Sequence, residues 1–291
     1  MSHLLAVLGA LGLSLAAIFF RLSEVSPATA STFRALYALP LLVFLARRHP
    51  VAPRLRWLAL LGGMLFGIDL VCWHAAIERI GAGLATVMAN TQVVWVGLAA
   101  WALHGERPPQ RFLWMLPVLL GGVALLAGVG DLHAYGRDPA VGTALGLLGA
   151  LAYTAYLLVH RRACRNEPRP LGQLRDATLG VMLASALLGI GLDPGFSLQP
   201  AWPAHGWLLA LALVVQVGAW LALSVALPRL PAAEGSSLLL LQPVGSLLWG
   251  NLLFGEAPSL RQWLGAAVVI AGLAAVQLWP HLGFGKAGRK G

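Results

Sequence analysis

Apolar residues run along this chain in long blocks, and most polar positions fall between the blocks rather than within them. Neither the strict alternation of a half-buried strand nor the narrow stripe of a soluble helix accounts for that pattern. A helix of some twenty apolar residues rises about 30 Å, enough to cross the hydrocarbon layer of a membrane. Ten such blocks can be placed, near 3–22, 27–46, 57–77, 81–103, 112–129, 141–160, 172–192, 206–227, 232–254 and 262–280. The first reads as a helix rather than a cleaved leader, since it lacks a positively charged start and exceeds a leader's apolar length. The polar stretch 130–140, with Asp131, Arg137, Asp138 and Pro139, is a linker between two sets of five, and 281–291 is a basic tail.

The two sets are related. Residues 79–124 return without a gap as 229–274, with thirteen identical positions. The informative pairs are Arg79/Arg229, Gln92/Gln242, Gly105/Gly255, Glu106/Glu256, Pro108/Pro258 and Arg111/Arg261. An internal duplication of this kind marks a repeat architecture. Because five is odd, the second copy is expected to cross the membrane in the opposite sense. The expected fold is therefore an all-α integral membrane protein of ten transmembrane helices in two five-helix inverted repeats, 1–129 and 141–280. Transporters use such repeats to alternate access around a midplane site.

Composition agrees with the membrane reading, with 58% hydrophobic and 11% charged residues. The net charge of +9 changes meaning accordingly, because the basic residues sit in short loops where they set orientation and do not form a nucleic-acid surface. Fifteen Lys and Arg fall on the side of the N-terminus; Arg21, Arg79, Arg137 and Arg261 fall on the other, and Arg34 lies within the second block. Both termini are thus expected in the cytoplasm, with the cell's inner membrane as the location. Cys72 and Cys164 are placed at different depths, so neither a disulfide nor a metal site is indicated, and no cofactor motif is found.

Candidate chemistry lies with polar groups stranded in apolar blocks, each costly unless it meets a partner or a cavity. Asp69 sits near the middle of the third block, sharing a helical face with Phe66, Trp73 and Ala76. It is either a carboxylate paired for packing or the site of a substrate amine or a proton. Arg34 is either a structural ion-pair partner or the receiver of a substrate carboxylate. Asn90 shares a face with Thr86, Gly97 and Trp101, whereas Gln92 points elsewhere and reads, with Gln242, as structural. His74 is a helix-contact hydrogen bonder. Trp73 and Trp220, with Tyr153, Tyr156 and Gln216, form either an amphipathic wall for an organic solute or core packing. The candidate substrate-binding set is Arg34, Asp69, Trp73, Asn90, Tyr153, Tyr156, Gln216 and Trp220. Trp57, Trp114, Trp202, Trp207, Trp263 and Trp279 lie at block ends, as an interfacial belt requires.

The T-F-R-A of Thr32 to Ala35, the G-E-x-P turns at Gly105 to Pro108 and Gly255 to Pro258, and the two related copies resemble the drug/metabolite transporter superfamily. Within it the chain is similar to EamA-type ten-span exporters, and most similar to the YddG-type amino-acid exporters. That resemblance implies export of amino acids or related metabolites, with a small solute and membrane lipid as partners and the oligomeric state open. Glu106 and Glu256 of the G-E turns read as helix-end residues, with Gly as the left-handed cap and Pro as the stop. The small multidrug members carry a glutamate in their first helix, and block 3–22 has none. An intramembrane enzyme lacks its converging aspartates or metal signature here. The alternative is a carrier of phosphorylated or sugar-nucleotide metabolites, which calls for intramembrane cations; Arg34 qualifies, and Arg175 lies at the edge of the seventh block.

Overall fold

The computed structural model describes residues 2–48, 51–104, 110–164, 171–226, 229–230 and 238–278, and every regular element among them is helical. In chain order these are α1 (Ser2–Ser14), α2 (Ala16–Ser23), α3 (Pro27–Ala46), α4 (Pro53–Asn90), α5 (Gln92–His104), α6 (Gln110–Leu126), α7 (Pro139–Ala163) and α8 (Leu171–Leu192). They are followed by α9 (Ala204–Ala210), a π-helix (Leu211–Ala219), α10 (Trp220–Ala226), α11 (Leu241–Phe254) and α12 (Leu260–Leu278). The first G-E turn with Glu106, the basic stretch 165–170, the start of the ninth expected block and the basic tail lie outside the described residues.

Local chemistry sets the helix starts. Ser26 caps α3 by accepting from Thr29 N, and Asp138 caps α7 by accepting from Val141 N. In both cases a proline follows the cap, where its missing N–H costs nothing.

The expectation of ten spans in two inverted five-helix repeats does not hold. Among the described residues six helices are long and apolar enough to cross a membrane: Ser2–Ser23, Pro27–Ala46, Pro53–Leu103, Pro139–Ala163, Leu171–Leu192 and Ala204–Leu223. Two physical reasons separate this from the reading of apolar blocks. The third and fourth blocks run together in the 51-residue helical stretch Pro53–Leu103, whose break at Gly81 is a kink rather than a polar loop. Leu113–Leu126 and Leu260–Ala275, the parts of α6 and α12 that cover most of the fifth and tenth blocks, are apolar stretches of 10–17 residues among the described residues, below the eighteen or more expected of a span.

Helix α4 is the centre of the assembly, packing most extensively on α7 and α8 and also meeting α3 and α11. Close approach to α8 depends on small residues at the crossing. A Cβ at Gly63 would lie 1.9 Å from Ala177 O, and one at Gly180 would lie 2.2 Å from Leu60 O. Such contacts let backbones approach closely where lipid, as apolar as leucine, supplies no hydrophobic drive between helices. Helices α6 and α12 pack on each other beside this group.

The kink has a specific partner. Gly81 adopts φ 83°, which breaks the α-helical ladder and exposes the N–H groups of a new helical start. The Glu256 carboxylate fills that position, accepting from Ala82 N at 2.7 Å and Gly83 N at 3.3 Å. Arg21 donates to the same carboxylate at 2.5 Å, and its guanidinium lies 4.2 Å from the centre of the Phe254 ring. Glu256 itself follows Gly255, whose φ of 62° ends α11 with a left-handed cap. The helix-end role expected of Glu256 is thus present, and the carboxylate reaches two further segments that the turn motif did not indicate.

The linker is held as firmly. Fully buried Gln262 accepts from Tyr135 N at 2.6 Å and from Ser259 N at 3.0 Å, and donates to Tyr135 O and Leu126 O. Ser259 donates to Asp131, and Arg261 donates to Gly130 O.

Candidate translocation site

The site is built from four elements around α4. From α3 comes Arg34, 4% exposed, whose Nε donates to Gln216 Oε1 of the π-helix at 2.8 Å. The Nη nitrogens of Arg34 make no hydrogen bond with a described residue. From α4 comes Asp69, 6% exposed, which likewise makes no hydrogen bond or ion pair with a described residue. The charges of Arg34 and Asp69 nevertheless act on each other, and both act on Tyr153 of α7. A Cβ at Gly149 of α7 would stand 2.9 Å from Asp69 Oδ1, so the absence of a side chain there makes the room that the carboxylate occupies.

Aromatic rings close the wall next to these charges. Phe66 stacks on Tyr156 with centroids 4.8 Å apart and meets Tyr153 edge-on at 5.4 Å. One turn beyond Asp69, Trp73 is buried with its Nε1 unpartnered among the described residues. His74 bonds Ser31 Oγ at 2.8 Å and stacks on Phe20 at 4.2 Å, tying α4 to α3 and α2 as a helix-contact residue does. Its Nε2 is also unpartnered.

Of the eight candidates, then, Arg34, Asp69, Gln216, Tyr153 and Tyr156 converge, with Trp73 on the adjoining turn. Asn90 and Trp220 do not join them. Asn90 donates back to Thr86 O of its own helix at 2.8 Å. Trp220 is 38% exposed while Gln216, Ala219 and Leu223 are buried, so it points away from the face those three present.

Sequence reading missed Glu256 as the partner of Arg21 and the kink, and it missed Gln262 altogether. The only signal for either was the repeated turn and its neighbours. It also missed a cavity of about 520 Å³ at the kinked end of α4, whose lining includes Phe20, Arg21, Glu24, Glu78, Arg79, Gly81, Tyr135 and Arg137. The four basic residues assigned to one face from the charge count group there, since Arg21, Arg79 and Arg137 line the cavity and Arg261 holds the adjoining linker.

A buried, incompletely bonded Arg–Gln–Asp cluster thus lies beside an aromatic wall inside a multi-pass bundle. The profile of the EamA-like transporter family matches residues 1–128 and 140–278. The chain belongs to the EamA-like transporter family. It is accordingly a membrane transporter and not an enzyme. A solved crystal structure shares the fold of this transporter, with a TM-score of 0.62 at 20% identity over 96% of this chain and 98% of the other. Among curated proteins, the transporter is 30% identical to the uncharacterized protein PA1977 of Pseudomonas aeruginosa, over 84% of this chain and 80% of that one. It is 24% identical to the uncharacterized transporter YwfM of Bacillus subtilis, over 75% and 73%. A shorter relative is a probable 4-amino-4-deoxy-L-arabinose-phosphoundecaprenol flippase subunit, ArnE, of Pectobacterium atrosepticum, 33% identical over 28% of this chain and 75% of its own.

Proposed function

We propose that this transporter carries a phosphorylated or sugar-linked metabolite, with Arg34 receiving the anionic group. The observation that carries the reading is the buried guanidinium, fixed by Gln216 at Nε and with both Nη nitrogens left without a described partner. A planar fork with free donors matches a phosphate by paired, charge-assisted bonds. The flippase-subunit relatives support the sugar-linked class, since their printed substrate joins an amino sugar to a lipid phosphate. In this reading Gln216 positions Arg34, and Phe66, Tyr153 and Tyr156 offer the flat apolar faces on which sugar rings rest. Alternating access then proceeds around the Arg34 cluster, which is closed to solvent in this conformation.

Export of amino acids is a second reading, favoured by Asp69. A carboxylate without a hydrogen-bond partner among the described residues, together with Arg34, supplies the opposite charges that a zwitterion needs. Proteoliposomes reconstituted with the transporter separate the two. Saturable uptake of radiolabelled ribose 5-phosphate, undiminished by excess leucine, is the result expected. Leucine uptake that excess ribose 5-phosphate leaves untouched would replace the first reading with the second.

A further inference from the structure

The cavity of about 520 Å³ at the kinked end of α4 is distinct from the Arg34 cluster, and its volume falls within the range of small-molecule sites. Its lining includes the buried Phe20 and Ile77, and Phe20 stacks on His74, whose ring also lies 5.1 Å from that of Trp73. Trp73 and Asp69 follow at successive turns of α4. The cavity therefore sits at the outer end of a line of side chains that leads to the buried charges.

Charge in the cavity is mixed and spatially ordered. Arg79 is anchored through its guanidinium to Ala75 O at 2.8 Å, and the Arg137 backbone N–H bonds Arg79 O at 2.8 Å, so the linker holds Arg137 beside Arg79 and both line the cavity. The Arg137 side chain makes no hydrogen bond with a described residue and is exposed at the mouth. Glu24 and Glu78 are exposed in the same lining, and Glu78 lies within reach of the charges of Arg79, Asp193 and Arg137. Arg21 is already committed to Glu256. A lone anion would meet the two carboxylates as well as the arginines, and a lone cation the reverse.

We propose that this cavity is a second binding site, outside the Arg34 cluster, for small solutes that carry an anionic group together with an ammonium group. Arg79 and Arg137 take the anion, and Glu24 and Glu78 take the ammonium. Both amino-sugar phosphates and amino acids have this chemistry, and the experiment distinguishes them. The proposal does not depend on which solute reaches Arg34.

The test is equilibrium binding to the purified full chain in nanodiscs, in an Arg34→Gln background that disables the central cluster. The probes are glucosamine 6-phosphate, glucose 6-phosphate, which lacks the ammonium, and leucine. Glucosamine 6-phosphate is expected to bind in this background and to weaken about tenfold or more when Arg79→Gln and Arg137→Gln are combined, from the loss of charge-assisted bonds. Glucose 6-phosphate is expected to bind more weakly than glucosamine 6-phosphate, and Glu24→Gln with Glu78→Gln to erase that difference. Leucine binding that vanishes in the double arginine variant supports the same site with an amino acid as its solute. Monodisperse gel filtration and an unchanged melting temperature exclude misfolding, and Arg137→Gln alone, on an exposed linker residue, repeats the reading with less disturbance. Equal binding in the presence and absence of Arg79 and Arg137, or no binding of any probe to the folded Arg34→Gln protein, overturns the proposal.

Discussion

Arg21 and Glu256, 235 residues apart in the chain, meet at 2.5 Å, and the same carboxylate accepts from the backbone of Ala82 and Gly83. The contact joins the first helices, the kink of α4 and the end of α11 in one charged group that is 2% exposed. Removing it strands a cation and two helix-start N–H groups together. Glu256→Ala is expected to cost about 3 kcal/mol, the lower end for a broken buried pair because Arg21 is partly exposed. Glu256→Gln should lose less, since its amide oxygen still accepts from the helix start. Thermal unfolding in detergent checks the order of the two variants.

Gly81 supplies the other half of that junction. Its φ of 83° is strained for any side chain, and a Cβ would lie 2.6 Å from the Glu256 carboxyl carbon. Gly81→Ala should therefore destabilise by about 1–3 kcal/mol. Gly121, whose added Cβ would meet nothing within 4 Å, is the control. Gly121→Ala is expected to be neutral or slightly stabilising by the same measurement.

At the candidate site, Arg34→Ala leaves Gln216 and Asp69 buried without their cation, and both folding yield and transport should fall. Arg34→Lys keeps the charge but lacks the planar fork, so the protein should fold and lose transport about tenfold or more. Gln216→Leu should lower transport with the fold kept, by freeing the guanidinium from its orientation. Reconstituted uptake at matched protein amounts reads all three. Full activity in Arg34→Lys would assign Arg34 a structural role.

The linker should respond to acid. The Ser259 hydroxyl and the His133 backbone N–H hold the Asp131 carboxyl below its ordinary 3.8. A depressed carboxylate contributes stability that is present above the unfolded value and lost as pH falls through the folded one. Protection of the linker from proteolysis should thus be constant at neutral pH and decline below about pH 3.8, and Asp131→Asn should remove that dependence.

Membrane residence and the polar members of the candidate cluster were legible in the sequence for one reason: in an apolar block every polar residue is an exception. Arg34, Asp69 and Gln216 stood out from three separate blocks, and the fold brings them together. The number of spans was less legible, because hydropathy registers an apolar run whether it is a separate crossing or half of a stretch bent at Gly81. Trp220 joined the candidate set because it lies inside its block rather than at an end, and depth along a helix says nothing of which way a side chain faces. The pairing of Arg21 with Glu256 had no local signature, since nothing near Arg21 in the chain announces a carboxylate 235 residues away.

The π-helix Leu211–Ala219 also makes this span editable. A π-turn holds one more residue than the α-turn it replaces, so it acts as an insertion stored inside an intact helix. Deleting a single residue from Leu211–Ala219 would let the wide turn close to an α-turn, so the residues beyond it would keep the faces they present now. The span can thus lose a residue in mid-helix with no loop to absorb the loss.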